Sequence, residues 1–136
     1  MSDEGNPGKF LLGTNAVIAL MKANPRFISQ IKKHPPKHIK ISSITLHELY
    51  FGACKSQRRS ENLERIAQLN LEILTFDELD AYSAGEARAI LSAAGTPIGP
   101  LDVLIAGVAM ARKLTLITNN TGEFQRVLGL KVRDWQ

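Results

Sequence analysis

The sequence predicts an α/β fold with a central, mostly parallel sheet and helices on both of its faces. Short apolar runs of strand length alternate along the chain with longer segments of helical periodicity. Glycine, proline, serine and asparagine stand between these segments, as turn and cap residues do. Strands that alternate with helices pair mostly in parallel, and we therefore expect a sheet that is covered on both faces.

The first part of the chain is predicted to contain two strands with two helices between them. Residues 10–12 (Phe-Leu-Leu) have the apolar character of a buried strand, and residues 16–21 have that of a helix. Asn24 followed by proline is typical of a helix start, and the His-Pro-Pro-Lys stretch that follows ends this second helix. Residues 39–41 are short and β-branched, which favours a second strand.

The middle of the chain is predicted to add two helices and a strand. Ser42 and Ser43 can cap a helix that extends to about residue 54. Ser60 can cap a shorter helical piece. Residues 71–76 (Leu-Glu-Ile-Leu-Thr-Phe) are predicted as the third strand.

The last part of the chain is predicted to hold two helices and two strands. Asp77 is placed to cap a long helix, and Gly95 is placed to end it. Residues 101–112 are apolar on nearly every face and are expected to form a buried helix. The fourth strand covers residues 114–118, the Asn-Asn-Thr-Gly-Glu stretch after it is predicted as a turn, and Leu-Lys-Val-Arg-Asp-Trp as a final short strand.

The composition excludes several classes of protein. The chain has 136 residues, of which 44% are hydrophobic and 22% are charged, as in an ordinary soluble globular protein. We expect one domain at residues 9–136, a flexible polar leader at residues 1–8 without a signal-peptide core, and a cytoplasmic location. No window approaches the ~18 apolar residues of a membrane span. The single cysteine, Cys54, excludes an internal disulfide and is expected to be a small buried side chain.

The excess of basic residues is modest. The formal net charge is +4, which permits a nucleic-acid partner without requiring one. The basic residues cluster at residues 26–40 and 55–59. Both clusters are candidates for RNA contact, although most clusters of this kind are solvated faces.

A few polar side chains are predicted at the edge of the sheet where the strands' carboxyl ends meet, which is the default place for a site. Glu48 lies in the helix after the second strand, and Asp102 lies near the start of the apolar helix. Asn119, Asn120 and Glu123 follow the fourth strand. Together they suggest acids that converge on one edge from distant points of the chain.

Each of these residues also has a local explanation. Asp102 could interact with the positive end of its helix dipole. Glu48 fits a capping box with Thr45, although Ser42 and Ser43 are better placed as caps. Glu123 could be plain surface, and consecutive asparagines suit a turn.

Closely packed carboxylates repel one another, which suggests a cation among them. Mg²⁺ and Mn²⁺ prefer oxygen ligands, and such an ion can activate water and stabilise charge in phosphodiester cleavage. His34, His38 and His47 lack a common ligand spacing, so zinc is not indicated. The sequence also lacks a P-loop and a G-x-G-x-x-G motif.

Four motifs in order resemble those of PIN-domain ribonucleases, and most closely the VapC-type toxins of bacterial toxin–antitoxin pairs. They are FLLGTNAVIALM, ISSITLHELYFGA, PIGPLDVLIAGVAMARKLTLITNNTGEF and GLKVRDW, within residues 9–135. The resemblance implies a three-layer α/β/α domain and a Mg²⁺- or Mn²⁺-dependent endoribonuclease that cuts structured RNA, commonly tRNA or ribosomal RNA. It also implies a homodimer and a VapB-like antitoxin, which blocks the site and binds operator DNA.

Site residues follow from the resemblance by position. Glu48 is the acid of His-Glu-Leu, and Asp102 is the acid of Gly-Pro-Leu-Asp. Asn120 stands where many members have aspartate, and Glu123 is the candidate to supply the charge instead. Thr118 stands where a hydroxyl often supports the first acid.

Position 13 departs from the family pattern. Members have Leu-Leu-Asp-Thr-Asn, whereas this chain has Leu-Leu-Gly-Thr-Asn, so Gly13 replaces the first metal-binding aspartate. Thr14 and Asn15 still frame the position. We expect any metal to depend mainly on Asp102, with weakened Mg²⁺ or Mn²⁺ binding and ribonuclease activity near background. A selected inactivation and a naturally decayed toxin both fit this pattern.

The sequence alone leaves two alternative functions and the partner surfaces open. A PIN-like RNA-processing nuclease without antitoxin and a non-catalytic RNA- or antitoxin-binding module are the alternatives. A response-regulator-like fold is disfavoured, because no lysine follows the fourth strand. The antitoxin is expected in an apolar groove among the early helices, at residues that could also be simple core: Phe27, Ile28, Tyr50 and Phe51.

Overall fold

Five short strands form the sheet in a computed structural model that describes residues 9–136. They are β1 (Phe10–Leu12), β2 (Ile39–Ser42), β3 (Glu72–Leu74), β4 (Thr115–Ile117) and β5 (Val132–Arg133). Their order is β3-β2-β1-β4-β5, and every pairing is parallel. This confirms the predicted α/β fold. The predicted leader, residues 1–8, lies outside the described residues.

Helices connect the strands and cover both faces of the sheet. In chain order they are α1 (Thr14–Met21), α2 (Pro25–Ile31), α3 (Ser43–Lys55), α4 (Arg59–Ala67), α5 (Glu78–Ala93), α6 (Pro100–Arg112) and the single turn α7 (Thr121–Phe124). Within residues 9–136 we find no helix with the length and apolar character needed to cross a membrane.

Two hydrophobic clusters fill the space between the sheet and its helices. Because side chains alternate along a strand, Phe10 and Leu12 pack on one face, with residues of α1 to α4, and Leu11 packs on the other, with α5 and α6. Phe27, which was expected to be partly available to an antitoxin, is fully buried in the first cluster. The protein therefore has the three-layer arrangement that the resemblance implies.

Three predicted helix caps are confirmed, and in each the cap side chain accepts a hydrogen bond from an amide three residues further along the chain. The Asn24 side chain accepts a hydrogen bond from the Phe27 amide at 3.0 Å. The Ser42 hydroxyl accepts one from the Thr45 amide at 3.1 Å. Asp77 and Asp80, the third residue of α5, form a capping box at the start of this helix.

Three other local predictions are wrong. Cys54 is exposed rather than buried, because α3 turns Ala53 toward the core and the next residue lies about 100° further around the helix. Ser60 does not cap α4, which already begins at Arg59 after an N-cap residue without a side-chain bond. The Asn-Asn-Thr-Gly-Glu stretch is not a simple turn, since its last residues begin α7.

Helices α5 and α6 form a tightly packed antiparallel pair. Asp80 near the start of α5 accepts hydrogen bonds of 3.2 Å and 2.9 Å from the Arg112 guanidinium at the end of α6. At the crossing, a Cβ added to Gly107 would lie only 2.5 Å from the Cβ of Ala84. This pair holds the start of α6 in a fixed position beside the sheet.

Candidate functional site

The candidate site lies at the edge of the sheet where β1, β2 and β4 end. Gly13 follows β1 directly and is the N-cap of α1, and its amide donates to the Ile117 carbonyl of β4 at 2.9 Å. Its backbone angles, φ −73° and ψ 174°, are open to any residue. A Cβ there would lie 3.3 Å from the Ile117 carbonyl oxygen and 3.7 Å from Thr118 Cβ. The fold therefore does not require glycine at position 13.

Glu48 reaches this edge from α3. Its carboxylate accepts a hydrogen bond from the Thr14 hydroxyl in the first turn of α1. Because Ser42 is the N-cap of α3, Thr45 does not cap the helix, and the alternative explanation of Glu48 as part of a capping box is wrong. The carboxylate is instead held across the gap between two helices.

Asp102 and Glu123 form a pair of hydrogen-bonded carboxyl groups. Burial, a hydrogen bond with Glu123 and repulsion from Glu123 and Glu48 raise the pKa of Asp102 to about 6. The pKa of Glu123 is lowered, because the Gly99 amide donates to its Oε2 at 2.9 Å and outweighs the effect of burial. Asn120 donates to the other oxygen of Glu123. When the pair holds one proton, that proton lies on Asp102.

A second network joins the start of α1 to the residues after β4. The Thr118 hydroxyl donates to Asn15 Oδ1 at 3.3 Å and accepts from the Asn120 amide at 3.0 Å. The Asn119 amide also approaches Asn15 Oδ1, at 3.5 Å. The structure thus links two of the predicted supporting residues, Asn15 and Thr118, to each other and, through Asn120, to the carboxyl pair.

Sequence reasoning missed several residues of this region. Gly99 was treated as part of a loop, yet a Cβ there would lie 2.8 Å from Asp102 Oδ2, so any other residue would force the Asp102 side chain to shift. A groove of about 240 Å³ extends from Thr14 and Glu48 to Lys22 and Arg65, two cations outside both predicted basic clusters. The Gly-Pro pair at the start of α6 was the one available indication for Gly99.

Part of the first basic cluster lies far from these acids. His34 packs on Phe10, the first residue of β1, with ring centroids 4.5 Å apart. The short 3-10 turn Pro36–His38 leads directly into the start of β2. Both positions are at the amino-terminal edge of the sheet, whereas the acids are at the carboxyl-terminal edge.

The donor set does not fit a preformed divalent-metal site. No group of three or more His, Cys, Asp or Glu side chains within residues 9–136 is arranged to hold an ion. Glu48 is held by Thr14, and Asp102 hydrogen-bonds with Glu123. Gly13, which is bonded to the end of β4, contributes no carboxylate to this arrangement.

Comparisons with known proteins point to one family over most of the chain. The family model of the PIN domain matches residues 10–130, which include every candidate site position. A "tRNA(fMet)-specific endonuclease VapC" of Salmonella typhimurium is 41% identical over 129 residues, which are 93% of this chain and 98% of that protein.

Two solved structures show the same fold. The DNA-bound VapBC of Salmonella typhimurium has a TM-score of 0.88 at 41% identity, and the match covers 94% of this chain and 98% of that one. VapBC2 of Rickettsia felis, bound to a DNA fragment from its promoter, has a TM-score of 0.86 at 35% identity and coverage of 93% and 98%.

Proposed function

The chain belongs to the PIN-domain family and is a VapC-type toxin, and from this premise we propose that it is an endoribonuclease toxin whose catalysis Gly13 has disabled. The observation that carries the proposal is the arrangement at the sheet edge. Glu48, Asp102 and Glu123 converge there, while the one position without a carboxylate has a backbone that would accept aspartate.

The remaining residues explain why the rate should be low. VapC nucleases depend in general on a divalent metal ion, which activates water and stabilises charge on the phosphate. Here Asp102 hydrogen-bonds with Glu123, and Glu48 is bonded to Thr14, so no set of free carboxylates is preorganised. Removal of one preorganised group commonly lowers a rate by about 10²–10³-fold. We expect weak Mg²⁺ or Mn²⁺ binding and activity near background.

The relatives suggest the substrate and the partner. The Salmonella relative is described as specific for tRNA(fMet), so a structured RNA of the tRNA class is the first substrate to test. The two similar structures described above are toxin–antitoxin complexes bound to DNA, which supports a VapB-like antitoxin and contact with operator DNA only through that complex. We also propose that the chain is cytoplasmic and acts as a homodimer.

The structure favours a different surface for RNA than the sequence did, and it keeps two of the residues named for antitoxin contact. Lys22 and Arg65 line the groove that begins at Glu48, so they are better placed for RNA phosphates near the site than the cations of residues 32–38. Tyr50 and Phe51 are exposed on α3 and remain candidates for antitoxin contact. Salt-sensitive RNA binding that weakens in Lys22→Ala and Arg65→Ala would support the first assignment.

The decisive experiment is the reversion Gly13→Asp. Expressed without antitoxin, the revertant should arrest growth and cut tRNA in total RNA when Mg²⁺ or Mn²⁺ is present. Gly13→Asn is the matched control, since it adds nearly the same side chain without the charge and should stay inactive. A folded Gly13→Asp protein that neither arrests growth nor cuts RNA would contradict the proposed nuclease.

A non-catalytic binding module is the second candidate, and the absence of a carboxylate at position 13 favours it. As it stands, the chain would then act only by binding antitoxin or RNA. Calorimetric titration with Mn²⁺ separates the two functions for the unmodified chain. Tight binding would show that the remaining carboxylates suffice for a metal site, and RNA cleavage should then be measured directly.

A further inference from the structure

Three exposed cations lie on the α6 side of the sheet, outside both basic clusters of the sequence. Lys113 follows the last residue of α6, and Arg126 and Lys131 lie between α7 and β5. The ion pairs within residues 9–136 involve other cations, so no carboxylate of this range neutralises the three directly. We call these three residues the α6 track.

Two neighbouring cavities join the α6 track into one surface. A cavity of about 340 Å³ is lined in part by Lys113 and Lys131, and a second, of about 220 Å³, is lined in part by Arg126. Met110 of α6 lines both cavities, which places them side by side. Among the described residues that line them, Glu86 in the second cavity is the one acid. The surface is therefore mainly positive.

The α6 track begins beside the candidate site. Arg126 donates a hydrogen bond to the Pro97 carbonyl at 3.1 Å, and Gly99 of the same loop donates its amide to Glu123. Lys113 lies at the far end of α6, which has 13 residues and is therefore about 20 Å long. The track thus extends from the acids along α6 toward the start of β4.

The backbone of Lys113 is a second, independent observation. Its angles, φ 57° and ψ 45°, lie in the left-handed region, where glycine or asparagine is usual at the end of a helix. A lysine in this conformation is unfavourable for the fold because its Cβ crowds the backbone. Strain of this kind occurs preferentially at functional positions, so the Lys113 side chain is a candidate for binding.

We propose that the α6 track binds the phosphate backbone of the RNA strand where it leaves the candidate site. The inference rests on the proposed ribonuclease function and adds the path of its substrate. The groove with Lys22 and Arg65 is on α1, α3 and α4, which pack on one face of the sheet, whereas α6 packs on the other. An RNA strand would therefore cross the edge that carries the acids between two basic surfaces.

The arrangement of the track favours an extended polyanion over a single small anion. Arg126 lies in one cavity and the two lysines lie in the other, so one phosphate would not contact all three. Successive phosphates of a strand can contact them in turn. Such contacts hold a nucleic acid in position and carry no base specificity.

Binding of a labelled tRNA transcript to the unmodified chain tests the track, because this chain is expected to cut RNA only at background rate. Fluorescence anisotropy in a chelator, at several KCl concentrations, gives the affinity and its salt dependence. Lys113→Gln/Lys131→Gln should weaken binding about tenfold and reduce the slope of log K against log [KCl] by about 2. Lys113→Arg/Lys131→Arg is the matched control, since it keeps both charges and should bind as the unmodified chain does.

A substitution at the left-handed position separates a binding role from a structural one. Lys113→Gly should raise the midpoint of thermal unfolding, because glycine fits this conformation, and should at the same time weaken RNA binding. Asn70→Gly is its control, since Asn70 also has a positive φ, of 51°, and lies outside the track. This variant should leave RNA binding unchanged.

Four results would overturn the inference. They are an unmodified chain that does not bind tRNA, an unchanged salt slope in Lys113→Gln/Lys131→Gln, an equal loss of binding in the arginine control, and loss of antitoxin binding with unchanged RNA binding. The last result would assign the track to the antitoxin.

Kinetics in the Gly13→Asp background distinguish this inference from the proposed function. There the two glutamine substitutions should raise KM for RNA with little change in kcat. A Gly13→Asp variant that cuts RNA with the same KM before and after these substitutions would overturn this inference alone. A Gly13→Asp variant that does not cut RNA, in a chain whose salt slope falls as expected, would overturn the nuclease and leave the phosphate contacts standing.

Discussion

Single residues decide whether this site can work, and Gly13 is the most informative of them. It ends β1, caps α1 and has extended backbone angles that any residue can adopt. An aspartate there would accept hydrogen bonds from the first amides of α1 and place a carboxylate beside Thr118. The backbone at this position therefore does not require glycine.

A metal-dependent gain in stability is expected for Gly13→Asp. Without metal, the new carboxylate is repelled by Glu48 and Asp102, which offsets the few tenths of a kcal/mol gained by capping. With Mg²⁺ at a hundredfold excess over Kd, the variant should gain about 2.7 kcal/mol. Thermal unfolding with and without Mg²⁺ or Mn²⁺ measures this gain. The unmodified chain and Gly13→Asn should show little response, and an equal response in all three would contradict a metal role for position 13.

The pH dependence of stability should reveal the Asp102 proton. The pKa of Asp102 is raised from 3.8 to about 6 in the folded chain, so between these values the folded state binds a proton that the unfolded chain does not. Stability therefore falls as pH rises through this window. Because Asp102 is partly exposed and solvent screens its charge, we expect the free energy of unfolding to fall by only about 1–2 kcal/mol over this window.

Asp102→Asn provides the comparison for that loss. The variant cannot ionise at this position, so its stability relative to the unmodified chain should increase as pH rises from 4 to 7. Urea unfolding in the presence of a chelator, at several pH values, measures the difference. Parallel pH profiles for the two proteins would show that Asp102 does not hold the proton.

At the scale of elements, the α5–α6 pair shows how packing overrides local preference. Gly107 lies inside α6, where alanine would normally be the better helix former. A Cβ at this position would lie 2.7 Å from backbone atoms of residue 84, so the two helices could not stay at their present distance. Close packing against Ala84 explains the glycine, and the helix that carries Asp102 depends on it.

Gly107→Ala should destabilise the protein by about 1–3 kcal/mol because of this overlap. Gly85→Ala is the matched control on the partner helix, since a Cβ there meets nothing within 4 Å. The control should stabilise the protein by about 0.5–1 kcal/mol through helix propensity. Chemical unfolding of both variants gives the comparison, and equal effects of the two substitutions would refute the packing argument.

At the scale of the whole molecule, the two ends of the described chain meet in one aromatic cluster. Trp135 packs against Phe10 of β1 and Phe27 of α2, with ring centroids 4.9 Å and 5.7 Å apart. It also stacks on His34 at an interplanar angle of 6°. Burial, followed by repulsion from Arg133, lowers the pKa of His34, so the ring is mostly neutral at pH 7. The C-terminal residues therefore complete the first hydrophobic cluster.

Trp135→Ala should cost about 3–5 kcal/mol, because it leaves a large cavity between β1 and α2. The exposed neighbour Asp134→Ala is the control and should change stability by less than about 0.5 kcal/mol. Urea unfolding monitored by circular dichroism compares the two variants. Tryptophan fluorescence is unsuitable, because Trp135 is the only tryptophan of the chain. A small effect of Trp135→Ala would mean that the C-terminus is not part of the cooperative core.

Much of the fold could be predicted because it depends on local interactions. Asn24, Ser42 and Asp77 cap their helices through bonds that close within three residues, so their spacing in the sequence was sufficient. Cys54 was misplaced, and Phe27 was left open between simple core and antitoxin contact, because burial depends on which side of a helix meets its neighbours. Local patterns alone do not specify that orientation.

The sequence by itself determined the alternation of strands and helices, the family, and the position that we propose lacks an acid. Only the tertiary structure decided how the remaining acids interact. Asp102 and Glu123 hydrogen-bond, Gly99 permits their approach, and Thr14 holds Glu48. The physical reason is that parallel pairing brings the ends of strands from distant parts of the chain to one edge. Hydrogen bonding and charge repulsion depend on distances of a few ångströms, which spacing along the sequence does not fix.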